Sequence, residues 1–248
     1  MKAAFSLKII FLTLIISCSS GKELTDLYDF TKIANHYMEA EYDACFYRAY
    51  KKTRKKSTRK NPLPYLWCSM CAYEMGLRPE EYAEEFPKAF RDALKYAIKY
   101  RKKDKEDEYW KDNKRFFDDL KKEAYEVAEM YLDEENYRKA NYYYKGVTRY
   151  YPEDFASKFM KGYTLVMNRQ RSTGQKEIAA TWEEMEDIDD ISGYEEESQR
   201  LFKLFLTRYS TYLMDEGLTS DAQETMEKGK KYFEDDEEFI SSYEYILN

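Results

Sequence analysis

The chain has little of what breaks helices or builds catalytic sites. Its 248 residues include eight glycines, five prolines and one histidine. So few Gly and Pro residues leave few tight turns. The sequence contains no G-x-S-x-G, no H-E-x-x-H and no Gly-rich phosphate loop. We therefore expect no catalytic residues, no metal site, no cofactor and no enzymatic activity.

Aromatic and charged residues are plentiful instead. The chain has 26 tyrosines and 14 phenylalanines, and 36% of its residues are charged. Disordered chains have few aromatic residues, so this composition indicates a folded protein. It suits amphipathic helices that bury an aromatic face and expose a charged one, which predicts an all-α fold.

The N-terminal residues form a predicted export signal. Lys2 and Lys8 precede an apolar run over residues 9–16, which is too short to span a bilayer comfortably. The run ends in Ile-Ile-Ser-Cys18, which resembles a bacterial lipobox, although residue 15 is Ile where that pattern prefers Leu. The resemblance implies a signal peptide over 1–17, lipidation of Cys18 and a short tether over 18–23. Ordinary cleavage near Ser19 or Ser20, giving a soluble periplasmic or secreted protein, is the alternative.

Charge is distributed unevenly along the chain. Loss of two lysines with the signal changes the formal net charge from −7 to −9. Residues 22–124 contain 24 basic and 20 acidic residues, whereas residues 125–248 contain 15 and 28. The net negative charge argues against nucleic acid as a partner, and the asymmetry predicts a strong dipole.

A period of 34 residues fits the segment from Lys121 to Asp154. Counted from Lys121, small residues fall at positions 8 and 20, aromatic residues at 11, 17 and 24, and a proline at 32. The residues at these positions are Ala128, Ala140, Tyr131, Tyr137, Tyr144 and Pro152. The pattern resembles the tetratricopeptide repeat (TPR), whose small residues let paired helices approach closely.

Two further units match this pattern in part. The second begins at Phe155 with Gly162 at position 8, and we expect about five extra residues within 168–174 before Ala179 reaches position 20. The third begins near Lys203, with Ser210 at position 8 and Ala222 at position 20. The resemblance implies antiparallel helix pairs stacked as a short TPR-like right-handed solenoid over 106–248, continuous with helical hairpins over 24–105. The apolar spacing over 106–132 predicts one long helix.

The TPR resemblance also implies a groove that binds a protein. Positions 2, 5, 9, 12 and 13 of each first helix line that groove in the family. Here these positions select Lys122, Tyr125, Glu129, Leu132, Asp133, Ala156, Phe159, Tyr163, Val166 and Met167. The mixture of aromatic and aliphatic residues suits an apolar helix or extended segment of a partner. The alternative is that the long helix from Tyr194 or neighbouring loops cover these residues.

Cysteine and histidine offer weaker signals. Cys68 and Cys71 form a C-x-x-C inside an apolar helical pattern, away from the strand that a redox motif requires. They are either small buried residues or partners of Cys45 in a disulfide, which joins Cys45 to Cys68 or to Cys71. His36 lies one turn before Glu39, a spacing more typical of a solvated contact than of a metal site.

Two segments carry charge of one sign. Residues 48–60 contain eight basic residues and no acid, which suits either a solvated loop or contact with anionic lipid. Residues 177–197 contain ten acidic residues and no base, yet they lack the ordered ligand spacing of an EF-hand. We interpret the acidic segment as solvated helix surface.

Together these patterns predict a protein-protein interaction scaffold of the bacterial cell envelope. The lipobox and the repeats resemble lipid-anchored helical-repeat proteins of Gram-negative bacteria, of the Bacteroidota type. That resemblance implies an outer-membrane lipoprotein facing the periplasm, which binds another envelope protein or peptide within an assembly or secretion complex. The alternative function is a helical-repeat lipoprotein that binds glycans, because the chain is rich in tyrosine.

Overall fold

The structure, a computed structural model, describes residues 21–107 and 109–247. Within these ranges it contains twelve α-helices, one short 3-10 helix at Lys111–Asn113 and no strand, which confirms the all-α class. The helices are α1 Gly21–Met38, α2 Tyr42–Arg54, α3 Leu63–Gly76, α4 Pro79–Tyr82, α5 Ala89–Arg101, α6 Lys114–Asp133, α7 Tyr137–Tyr150, α8 Phe155–Met167, α9 Arg171–Glu184, α10 Glu196–Asp215, α11 Thr219–Phe233 and α12 Glu237–Leu247.

The helices pack mainly against neighbours in the chain. Extensive contacts join consecutive helices, such as α2 with α3 and α8 with α9, or helices two positions apart, such as α8 with α10. Their buried side chains form one hydrophobic core that extends from Phe30 to Ile246. Local packing of this kind is typical of helical-hairpin arrays.

Four hairpins of the described chain share one turn. In α1–α2, α6–α7, α8–α9 and α10–α11 the second residue after the end of the first helix has a positive φ, between 54° and 74°. These residues are Ala40, Glu135, Arg169 and Gly217. The next residue in each case donates its N–H to a carbonyl five residues earlier, over 2.7–2.9 Å. This is the Schellman ending of a helix, and Glu135 and Arg169 are separated by the 34-residue period.

The turn positions correct the expected insertion in the second unit. Helix α9 begins at Arg171, so Gly174 rather than Ala179 occupies position 20. Gly174 lies directly against Gly162 of α8, because a Cβ on Gly174 would stand 2.5 Å from the Gly162 carbonyl oxygen. The extra residues of the chain lie later, in the connection over 185–195 between α9 and α10.

Replacing Gly174 by alanine should therefore destabilise the protein by about 1–3 kcal/mol, the usual cost of overpacking. The new methyl group would also meet the backbone nitrogen of Val166 at 2.7 Å, and backbone atoms yield less easily than side chains. Gly193→Ala is the control, since a Cβ there meets nothing within 4 Å. Urea denaturation followed by circular dichroism measures both, and equal midpoints would argue against close packing of α8 on α9.

The beginning of the chain and of α6 differ from expectation. Helix α1 already includes Gly21, so residues 21–23 of the predicted tether are helical, while the predicted signal and Cys18 lie outside the described residues. The single helix expected over 106–132 is wrong, because a 3-10 turn precedes α6, which begins at Lys114. None of the described helices has the length and hydropathy needed to cross a membrane.

Candidate functional site

The residues of the predicted groove are mostly buried. Tyr125 and Phe159 have no exposed surface, and Leu132, Tyr163 and Val166 are nearly as inaccessible. Met167 packs partly against the same core. The charged members also reach the surface: Lys122 and Asp133 are exposed and Glu129 is half-buried.

Helix α10 occupies the groove. Its Phe205 stacks on Phe159 with ring centroids 4.6 Å apart, and its Tyr209 meets the edge of Tyr163. Arg200 of α10 forms two hydrogen bonds with Glu129, at 2.6 and 2.9 Å.

The remaining charged residues follow the same pattern. Arg208 donates to Asp133 at 2.8 Å, and Lys122 lies 3.7 Å from Glu197. The open groove predicted from the sequence is therefore wrong, and the alternative that a later helix covers it is correct. Phe159 and Tyr163 pack against α10 of the same chain, and the Tyr125 ring packs against Tyr144 of α7.

A buried polar network lies beneath this contact, centred on Asp154. The carboxylate of Asp154 accepts hydrogen bonds from the Ser198 hydroxyl at 2.8 Å, from the Tyr125 hydroxyl and from the backbone N–H of Ser157 at 3.0 Å. The last bond caps the N-terminus of α8. Burial, together with the Asp154 carboxylate, raises the pKa of Tyr125 well above its usual value, which keeps this hydroxyl a donor.

Lys121 extends the network to the surface. Its ammonium group donates to Glu195 at 2.9 Å and to Ser198 at 3.1 Å, and lies 3.7 Å from Asp154. Burial alone would raise the pKa of Glu195, but hydrogen bonds from Lys114 and Lys121 lower it to about 2. The ammonium group of Lys121 and the carboxylates of Glu195 and Asp154 are thus paired with one another. They join α6, α8 and α10, and this role is structural.

One of the two predicted disulfide pairings is present. Cys45 of α2 and Cys71 of α3 form a disulfide, with Cα atoms 6.4 Å apart. Cys68 remains a free, fully buried thiol, and burial raises its pKa. A raised pKa disfavours the reactive thiolate, so Cys68 is suited to packing.

His36 lies beside two carboxylates, Glu39 and Glu41, and this is the one group of potential metal ligands among the described residues. Both ring nitrogens already have partners, because Nδ1 contacts Glu41 and Nε2 accepts from the Arg48 guanidinium at 2.7 Å. A metal ion would have to displace Arg48 and would meet its positive charge. The arrangement favours an exposed hydrogen-bonded contact.

The two charged segments lie on the surface. The basic residues after Arg54 form an exposed loop between α2 and α3. The acidic segment covers the end of α9, the connection over 185–195 and the start of α10. There it borders an open cleft of about 610 Å³ in which Arg200, Lys203 and Lys231 stand among the carboxylates. Mixed charges of this kind fit the interpretation as solvated surface.

The structure also shows a surface that the sequence analysis missed. Tyr143 of α7 stacks between Phe90 of α5 and Tyr131 of α6, with ring centroids 6.1 and 5.9 Å away. Tyr142 meets Tyr143 edge to face at 5.2 Å and is 41% exposed. We call these four residues the aromatic surface. Met130, which precedes Tyr131 on α6, is 50% exposed.

Cations border the aromatic surface. The guanidinium of Arg91 lies 4.8 Å from the ring centroid of Tyr142, and the Lys139 ammonium 4.6 Å from that of Tyr131. Three consecutive tyrosines, at 142–144, were the available signal. Successive residues of a helix point about 100° apart, so such a run cannot face the core throughout.

No family model matches the chain, and no curated protein or solved structure matches it.

Proposed function

We propose that this chain is a non-enzymatic protein-protein interaction scaffold of the bacterial cell envelope, built as a short TPR-like solenoid. The recurring helix ending at Ala40, Glu135, Arg169 and Gly217 supports the repeat, as do the small buried residues at position 20. These are Cys45, Ala140, Gly174 and Ala222. Stacked hairpins of this kind present extended surfaces on which partners bind.

The aromatic surface is the observation that carries the proposal. Tyrosine supplies a large contact area with little conformational entropy to lose, and aromatic residues are enriched where proteins bind each other. The exposed side chain of Tyr142 provides the apolar contact, and Arg91 and Lys139 provide a polar rim. A partner that presents an apolar helix or an extended segment fits such a surface.

The location is proposed from the N-terminal sequence. Acylation of Cys18 would hold the chain at the outer membrane, facing the periplasm, where a component of an assembly or secretion complex is the expected partner. A single acyl chain binds a membrane only marginally, whereas several anchor it stably.

Affinity capture from detergent-solubilised envelope tests the interaction. The wild-type chain should retain a stoichiometric envelope protein, and Tyr142→Ala should reduce the captured amount at least tenfold, since central aromatic contacts contribute on the order of 2 kcal/mol or more. Tyr245→Ala is the matched control, because Tyr245 is 77% exposed on α12 but lies outside the aromatic surface. Circular dichroism checks that both variants fold.

Two results would contradict the proposal. Equal capture by the Tyr142 and Tyr245 variants would show that the aromatic surface is not the binding site. Oligosaccharide binding that Tyr142→Ala abolishes, without any captured protein, would instead support the glycan-binding function.

A further inference from the structure

Positive charge is concentrated at one end of the N-terminal helices. Exposed basic residues follow the end of α2, and others surround the end of α5. The two groups lie together on either side of Tyr65, near the start of α3. The Tyr65 hydroxyl donates to the Arg59 carbonyl at 2.9 Å, and the ammonium of Lys103 stands 4.8 Å from the Tyr65 ring centroid. We call this group the basic end; it consists of Lys55, Lys56, Arg59, Lys60, Lys99, Lys102, Lys103 and Lys105.

The loop residues of the basic end have no ion-pair partner among the described side chains. Lys55, Lys56, Arg59 and Lys60 form no ion pair there, in contrast to Arg200, which pairs with Glu129. The nearby carboxylate of Asp107 pairs with Arg101, and among the described neighbours of Lys105 the exposed carboxylate is that of Glu106.

The crowded cations also affect one another. Burial, followed by the charges of Arg59, Lys60 and Lys99, lowers the pKa of Lys103. A lowered lysine pKa means that the local environment disfavours positive charge. An anionic surface placed against the basic end would relieve this repulsion.

The hairpin topology places the start of α1 at the same end. Helices α1 and α2 are antiparallel, since a short turn over 39–41 joins them and they pack against each other; at the turn, the rings of Tyr37 and Tyr42 are 5.5 Å apart. The N-terminus of α1 and the C-terminus of α2 therefore share one end of the hairpin. Cys18 precedes that terminus of α1 by only three residues.

We propose that the basic end docks onto the anionic phospholipid of the membrane to which Cys18 is anchored; the anchor itself rests on the proposed function. Clustered lysines next to a membrane anchor are attracted to anionic lipid. The C-terminal half, in which 28 acidic residues outnumber 15 basic ones, is repelled by the same surface.

Docking in this way also orients the aromatic surface. Phe90 lies at the start of α5 and Tyr131 near the end of α6, whereas the basic end lies at the opposite terminus of α5. The aromatic surface therefore faces away from the bilayer, where a periplasmic partner can reach it.

Lysine acetylation followed by mass spectrometry tests the proposal on the mature protein purified from the envelope. The protein is bound to vesicles of phosphatidylcholine alone or of an equal mixture with phosphatidylglycerol. In the mixture, acetylation of Lys55, Lys56 and Lys60 should slow on the order of fivefold, and high salt should restore it. Lys145, Lys176 and Lys228 are exposed on α7, α9 and α11 and should react at the same rate on both.

Neutralising variants separate the basic end from net charge. Lys102 also belongs to the basic end and should be protected from acetylation on the mixed vesicles. In Lys55→Gln/Lys56→Gln/Lys60→Gln this protection of Lys102 should be lost. In the control Lys145→Gln/Lys176→Gln/Lys228→Gln, which has the same net charge, it should remain. Protection that is equal on phosphatidylcholine, or shared by the control lysines, would overturn the inference. So would selective loss of protection when phosphate replaces chloride at equal ionic strength, because that result indicates a discrete phosphate site.

The same spectra report the N-terminal peptide. An unmodified Cys18 contradicts the proposed anchor, whereas the lysine pattern decides the docking, so the two failures are distinguishable.

Discussion

Replacing Asp154 by alanine should lower the free energy of unfolding by about 3–5 kcal/mol, the usual cost of removing one partner of a buried ion pair. Asp154 is only 3% exposed, and its carboxylate joins three helices through Tyr125, Ser157 and Ser198. Without it, the buried ammonium of Lys121 keeps Glu195 as its only carboxylate partner. Helix α8 also loses its N-cap.

Asn136→Ala is the matched control for this variant. Asn136 caps α7 through the backbone N–H of Lys139, but it is half-buried and carries no charge. Loss of that cap alone should cost about 1 kcal/mol. Urea denaturation monitored by circular dichroism gives both values. If Asp154→Ala costs no more than Asn136→Ala, the network contributes nothing beyond capping.

The network was not predictable from the sequence. Tyr125 was assigned to the groove from its position in the predicted repeat, but its hydroxyl donates to Asp154 in the core of the same chain. Helix α10 is twenty residues long and carries Phe202, Phe205 and Tyr209 on the face that meets α8. Single-helix periodicity indicates that such a face is buried, but not which helix it covers.

The repeat spacing was predictable where small side chains recur at the same position. It was not predictable where a backbone conformation recurs without a characteristic residue. Ala140 and Ala222 were found because small residues are visible in a sequence. The helix ending with positive φ uses Ala40, Glu135 and Arg169, three residues other than the glycine that normally reveals this conformation. Only Gly217 gave the expected signal, so the expected insertion was misplaced into the second unit, and the first hairpin was not aligned with the others.

Breaking the disulfide between Cys45 and Cys71 should destabilise the oxidised protein by about 3–4 kcal/mol, as loop closure predicts for cysteines 26 residues apart. Both sulfurs lie in the fully buried contact between α2 and α3, so the bond fixes the first two hairpins against each other. Cys45→Ala and Cys71→Ala should each show this loss, and adding dithiothreitol should destabilise the wild type but neither variant.

Cys68→Ala is the control, because Cys68 is equally buried one turn earlier on α3 and forms no disulfide. It should lose only packing and keep its sensitivity to dithiothreitol. Peptide mapping without reduction identifies the pair directly: a bond from Cys45 to Cys68, together with dithiothreitol sensitivity that Cys68→Ala abolishes and Cys71→Ala retains, would reverse this assignment.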